Sequence, residues 1–228
     1  MATEIEPTGS TATAPPLRAG DRLSRDEFER RYHAMPDVKK AELIEGVVYM
    51  PSPVSNESHG APHAELITWL GVYKAGTPGV QVSDNATVRL DWDNEPQPDA
   101  LLRIAPKSGG QSGDEAGYIA GGPEWVGEIA ASSVSYDLHD KKEAYRRNGV
   151  REYLVWRVED LAIDWFVLRG GSYELLPADD DGIYRSEVFP GLWLDANALL
   201  AGNTRQVLEV LNSGIQSAEH EAFAESLG

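Results

Sequence analysis

Two carboxylates and one amine stand out because their settings are unusual for charges. Asp99 follows Pro98 and heads the apolar run Ala100-Leu101-Leu102-Arg103-Ile104. Glu128 lies in the middle of Trp125-Val126-Gly127-Glu128-Ile129-Ala130, an otherwise apolar strand pattern. An ionised carboxylate there is costly unless it is paired or bound to a metal. Lys141 follows Glu128 by thirteen residues, in the first turn of the polar helix that leaves this strand. Two strand carboxylates with an amine returning on the next helix suit Mg2+, with Mn2+ as a substitute. Hard oxygens hold such an ion, the ion activates water, and the lysine steadies that water or the charge of the transition state. The backbone carbonyl of Ile129 could add a third oxygen. The same residues also read as a turn aspartate, an edge-strand charge and a solvated helix lysine, and the residues alone leave both readings open.

Other candidates carry less. His59 and His63 are four apart on one helix face, but no HExxH glutamate stands between them and Pro62 puts them in a ragged first turn. They read as ordinary polar residues rather than a metal pair. No GxxxxGK[ST], GxGxxG or GxSxG pattern occurs. The glycine-rich stretch 105–122 reads as a long mobile loop. Asp179-Asp180-Asp181-Gly182 reads as a solvated hairpin turn, because EF-hand spacing is missing. The chain has no cysteine, which excludes disulfides, thiolate zinc sites and cysteine nucleophiles, and fits a cytoplasmic setting.

The elements that must position these residues follow from periodicity and punctuation. Residues 1–20, rich in Thr, Ala, Pro and Gly, read as a flexible leader with neither the basic flank nor the apolar stretch of a signal peptide. Ser24 with Asp26 and Glu27 predicts a short capped helix to Arg30 or Tyr32. Residues 41–51 turn from helical to extended at Gly46. Ser58 opens a helix from His59 to about Tyr73. Strands are expected in 79–90, 100–104 and 125–131, and Asp137 begins a helix that Gly149 ends. Residues 153–158, 161–169 and 173–176 form an antiparallel meander, followed by a short helix at 195–201. Residues 203–228 read as a weakly helical C-terminal tail. The order predicts an α/β (α+β) domain over 21–202 with a mixed central sheet flanked by helices.

The net charge is −17. Residues 1–20 carry −1 and residues 203–228 carry −3, which leaves −13 on the middle. Such a surface repels polyanions, so any nucleic-acid role needs a local basic patch. No apolar run approaches the roughly 20 residues that cross a bilayer, so no membrane span is expected.

Taken in order, several blocks resemble the Uma-two family of restriction-endonuclease-like proteins, within the PD-(D/E)XK nuclease superfamily. They are Glu42-Leu43-Ile44-Glu45-Gly46 with Val47-Val48-Tyr49-Met50 and Ser52-Pro53, then His59 with Leu66 and Leu70, then Pro98-Asp99. Gly122-Pro123-Glu124-Trp125-Val126-Gly127-Glu128-Ile129 comes next, followed by KxxxYxxxGVxEY from Lys141 to Tyr153 and Phe189-Pro190-Gly191-Leu192. The likeness spans about residues 24–202. It implies a restriction-endonuclease-like fold, Asp99 and Glu128 as holders of Mg2+, and metal-dependent cleavage of DNA. The signature lysine normally stands two residues after the glutamate. Here that position is Ala130, and Lys141 matches the lysine as moved to the following helix. Glu42 resembles an extra acidic residue near the metal; it reads equally as a buried or capping acid at a strand start. Tyr145, one turn beyond Lys141, packs beneath the site.

Two departures concern phosphate contacts: Ala130-Ala131-Ser132-Ser133 replaces the usual leucine and Ser-Pro pair, and Ser135-Tyr136 replaces arginines before Asp137. Lys141, Lys142, Arg146, Arg147 and Arg151 fall within eleven positions, and Lys142, Arg146 and Arg147 are candidate phosphate contacts. They read equally as a solvated helix face. A homodimer fits the need to cut two strands. The rival reading is a non-catalytic binding module on the same fold.

Overall fold

The computed structural model describes residues 14–50, 55–131 and 133–228. Most of the leader, residues 1–13, and the Ser52-Pro53 block lie outside them. The chain opens with helix α1 (Arg25–His33) and a hairpin of β1 (Glu42–Ile44) and β2 (Val47–Tyr49). The helical start expected at Ala41 is therefore a strand. Its cause is a two-residue turn in which Glu45 and Gly46 both have positive φ, 52° and 71°, the mirror-image turn that matches strand twist. A glutamate is unusual there. Its N–H donates to Asn94 Oδ1 and the Gly46 N–H to the Asp93 carbonyl, both at 2.8 Å, which fixes the turn from outside.

A π-helical turn (Asn56–Gly60) leads into α2 (Ala61–Gly76), one turn later than expected at its start. Then come β3 (Val80–Asp84), β4 (Val88–Arg89), β5 (Ala100–Ile104), β6 (Gly113–Glu115), β7 (Tyr118–Ala120) and β8 (Trp125–Ala130). The stretch read as a long loop thus contains the β6–β7 hairpin. Arg103 anchors it through Asp114 Oδ1 at 2.7 Å and the Gly113 carbonyl at 3.1 Å. After β8, a helical segment runs through α3 (Val134–Tyr136), a π turn (Asp137–Lys141) and α4 (Lys142–Arg147), and Gly149 at φ +74° ends it. Strands β9 (Glu152–Arg157), β10 (Ala162–Arg169) and β11 (Ser172–Leu175) form the expected meander. Next are β12 (Ile183–Arg185), β13 (Trp193–Asp195), α5 (Ala196–Leu200), α6 (Thr204–Ile215) and α7 (Ala218–Ser226).

The central sheet has six strands in the order β11-β10-β9-β8-β5-β3. Only β8 and β9 run parallel, joined across the sheet by α3 and α4; the other neighbours are antiparallel. It is the mixed α+β architecture that the order of elements predicts.

Strand alternation divides the side chains between two cores. On one face Trp125, Ile129, Ala100, Leu102 and Trp165 pack against Leu66, Trp69, Leu70 and Tyr73 of α2. Trp69, Trp125 and Trp165 meet edge-to-face with centroids 6.0–6.1 Å apart, geometry that adds to burial. Val207, Leu211 and Leu227 belong to this core. Residues 204–226, read from sequence as a weakly helical tail, therefore form two helices docked on the domain. On the other face Leu101, Val126 and Ala130 pack with Tyr145, Val150 and Tyr153. A third cluster gathers Leu17, Phe28, Ala41, Leu43 and Val48, so the end of the leader packs on the first hairpin.

Candidate active site

Strand register brings the two carboxylates together. Ala100 pairs with Gly127 and Leu101 with Val126, so one further step sets Asp99 opposite Glu128. Both side chains point to the face shared by Val126 and Ala130, away from the tryptophans. The Ile129 N–H donates to Asp99 Oδ2 at 2.8 Å and ties the end of β5 to β8. Gly127 between them has a steric cause: a Cβ there would stand 2.5 Å from the Trp125 ring and 3.2 Å from Leu66. Asp99 and Glu128 are both buried, at 3% and 2% exposure.

Lys141 arrives from the π turn after β8. An extra residue in a helical turn re-aims its side chains, a device common at functional sites. Lys141 Nζ stands 2.9 Å from Glu128 Oε1, 3.0 Å from Glu42 Oε1 and 3.8 Å from Asp137 Oδ1, with the Tyr136 ring 5.3 Å away. The Tyr145 hydroxyl also donates to Glu128 Oε1, at 2.9 Å; the sequence offered only packing for this residue. Glu42 leaves β1 at the sheet edge and accepts the Gln97 N–H at 2.7 Å. Asp137 accepts from the Ser133 hydroxyl, while its carbonyl accepts from the buried Tyr153 hydroxyl.

The two histidines read as incidental stand on Asp99. His59 Nε2 lies 3.2 Å from Asp99 Oδ2, and His63 Nε2 lies 2.7 Å from the Asp99 carbonyl and 3.1 Å from Asp84 Oδ1. Their rings meet edge-on at 5.7 Å. Lys40 Nζ, 3.5 Å from Asp99 Oδ1, completes the surround. The spacing of the histidines was a usable signal. Nothing local marks Lys40, which lies 59 positions from Asp99.

Environment separates the protonation of these groups. Burial pushes Asp99 toward its neutral form, but the His59 hydrogen bond and the charges of Lys40 and Lys141 outweigh it and hold Asp99 well below the usual carboxylate range. Burial pushes Glu128 up to about 8 against the pull of Lys141, and Asp99, Asp137 and Glu42 push the same way. Burial works against the charge on Lys141, yet Glu128, Glu42 and Asp137 hold its proton well above the ordinary lysine range. Lys141 is a buried ammonium at neutral pH.

The residues fit a divalent cation in chemistry and charge. Glu42, Asp99, Glu128 and Asp137 are all buried acids, faced by one buried ammonium and the partly exposed Lys40. All four offer hard oxygen donors. Beside them the buried Tyr136 hydroxyl has no hydrogen-bond partner among the described residues. Among those residues no three acidic or histidine groups converge on a ready-made metal position; Lys141 Nζ stands between Glu42 and Glu128.

The basic residues beyond Lys141 are largely engaged. Lys142 Nζ lies 3.5 Å from the centre of the Phe166 ring. Arg146 pairs with Glu143 at 2.9 Å and donates to the Gly171 carbonyl at 2.7 Å. Arg147 makes a two-pronged pair with Glu45, at 2.6 and 2.8 Å. Arg151 is exposed.

Comparison with known proteins gives two findings. Residues 25–197 match the family described as "Uma2: Putative restriction endonuclease"; the chain belongs to this family. A crystal structure of "a putative nuclease belonging to DUF820" from Anabaena variabilis shares the fold, with a TM-score of 0.54 at 14% identity over 83% of this chain and 99% of that one. No curated protein matches the chain.

Proposed function

We propose that this family member is a metal-dependent endonuclease that hydrolyses phosphodiester bonds of DNA. The observation that carries the reading is the pairing of Asp99 and Glu128 on neighbouring strands, with Lys141 hydrogen-bonded to Glu128. Asp99 and Glu128, with Glu42, would hold Mg2+, for which Mn2+ would substitute. A bound ion supplies Lewis-acid activation of the scissile phosphate and of water. The chain's own residues do the rest. His59 and the Ile129 N–H fix Asp99, and Lys40 and Lys141 keep it ionised. The Tyr145 hydroxyl fixes the Glu128 oxygen that Lys141 also touches. The Lys141 ammonium donates to the attacking water or to a phosphate oxygen. Hydrolysis adds that water across one P–O bond, and the departing oxygen takes a proton. Lys142, Arg146 and Arg147 are the candidate backbone contacts, and the two arginines reach a phosphate only by leaving Glu143 and Glu45.

Two measurements test this reading. Calorimetric titration of Mn2+ is expected to show a site in the wild type that Glu128→Gln removes. Metal-dependent DNA cleavage is expected to disappear in Asp99→Asn and Glu128→Gln. Cleavage that survives in both variants sinks the assignment. One observation favours a second reading, a non-catalytic binding module: the centre of the acid cluster is taken by Lys141. Salt-sensitive DNA binding, with no Mn2+ site and no turnover, decides for that module.

A further inference from the structure

A cavity of about 390 Å³ opens beside the acid cluster and is not used by the chemistry above. It lies between the end of α1 and the β6–β7 hairpin. Glu29, Glu95, Tyr32, His33, Gln97 and Tyr118 are among its lining residues. It shares a wall with the candidate active site. Gln97 lines it and donates its N–H to Glu42 Oε1. Asn85 lines it and accepts from Lys40, the lysine next to Asp99. Gln97 stands only two residues before Asp99 in extended chain, about 6.6 Å.

The polar groups in this cavity are incompletely satisfied. Glu29 is held by Arg89, with contacts of 2.8 and 2.9 Å, and the Arg89 guanidinium lies 4.5 Å from the centre of the Tyr118 ring. Glu95 is 96% buried, being 4% exposed, yet its Oε2 has no hydrogen-bond partner among the described residues and lies 3.9 Å from Arg89 Nε. A buried oxygen without a donor is rare in folded proteins and calls for a missing partner. Two acids reject a phosphate, so the missing partner brings N–H groups. Tyr32 and Tyr118 add aromatic surface, and a volume above 300 Å³ matches small-ligand sites.

We propose that this cavity receives one unstacked nucleobase carrying an exocyclic amine, adenine or cytosine, through Glu95. The inference rests on the nuclease reading for its substrate, since a base seated here places its own backbone beside Asp99. Taking a base out of the stack is an established way for proteins to read it by its hydrogen-bonding edge. Burial and the neighbouring Glu29 push Glu95 up to about 8. A protonated carboxyl presents one donor and one acceptor. That pattern complements the amine and adjacent ring nitrogen of adenine or cytosine; thymine offers no amine.

The test uses free nucleosides without metal, so that neither a phosphate nor catalysis enters the readout. Deoxyadenosine, deoxycytidine and thymidine are titrated into the full chain and followed by amide chemical-shift changes. At least one of the two amine-bearing nucleosides is expected to shift residues of α1 and the β6–β7 hairpin, at least tenfold more tightly than thymidine. Glu95→Leu is expected to abolish that preference and Glu95→Gln, which keeps one donor and one acceptor, to retain it. Tyr118→Ala, a partly exposed hairpin position, is expected to weaken binding about tenfold through lost stacking. Thymidine binding equally well, or no nucleoside shifting these residues, overturns the proposal. The two readings fail separately. Nucleoside binding here together with cleavage unaffected by Asp99→Asn keeps the pocket and sinks the catalytic assignment. Cleavage lost in Asp99→Asn without nucleoside binding does the reverse.

Discussion

Replacing Lys141 by methionine tests whether its ammonium is the counter-charge of the acid cluster. The side chain is buried, with Nζ 2.9 Å from Glu128, 3.0 Å from Glu42 and 3.8 Å from Asp137. Methionine roughly preserves volume, so the change is mostly one of charge. Removing one partner of a buried ion pair costs about 3–5 kcal/mol, because the other charge is left uncompensated. For a chain of this size, about 2–4 °C per kcal/mol converts that to a fall in Tm of about 6–20 °C. Proton uptake limits the loss. Glu128 already titrates near 8, and without the ammonium it rises further, so the folded variant binds more protons than the folded wild type. The deficit is therefore smaller at pH 6 than at pH 9. Divalent cation moves the other way: at 100 times its dissociation constant it adds about 2.7 kcal/mol, provided it binds only the folded state. The assay is a set of circular-dichroism melts at pH 6 and 9, in EDTA and in excess Mg2+. The expected pattern is a large deficit in EDTA at pH 9, narrowed by acid and by Mg2+. A loss under about 1 kcal/mol at pH 9 refutes Lys141 as the counter-charge, and a variant that ignores Mg2+ refutes the acids as an ion site.

Three further outcomes are expected. Glu152 is buried and accepts from Ser186, Glu187 and Val188, yet burial raises it to about 7. The fold thus holds a proton that the unfolded chain releases above about 4.5, and stability from this group falls as pH rises through that window, by up to about 3 kcal/mol. Glu152→Gln should match the wild type near pH 4.5 and exceed it at pH 8 in urea titrations; parallel curves would reject this account. Leu211→Ala should cost about 2–5 kcal/mol by the same assay, as for a core leucine, whereas a detached tail would show almost no change. Arg147→Ala should change stability by less than about 1 kcal/mol, as an exposed pair does; a shallower salt dependence of DNA binding in this variant would show that Arg147 leaves Glu45 for a phosphate.

What the sequence made legible was the part governed by local period. The alternation in 125–130 and the apolar run at 100–104 specified β8 and β5, and with them the face on which Asp99 and Glu128 lie. The β1–β2 turn was hidden because Glu45 takes a positive φ that only Asn94 and Asp93, far along the chain, make acceptable. The β6–β7 hairpin was hidden because its strands are short and polar and owe their place to Arg103. Lys40, His59 and His63 reach Asp99 only through tertiary packing, and no spacing rule finds contacts 36 to 59 residues apart.

The position of the lysine follows from the packing of β8. Ala130, two residues after Glu128 where the signature lysine would stand, is fully buried in the core made with Tyr145, Val150 and Tyr153. An ammonium there would face apolar neighbours, an arrangement whose desolvation nothing offsets. The helix that crosses this face can supply the amine instead, provided that it is aimed back along the strand. The π turn over 137–141 places Asp137 and Lys141 together on the buried side, where they join Glu42 from another element. The amine is thus defined by its position in space against Glu128, and the chain reaches that position from the helix because strand position 130 is already occupied by the core.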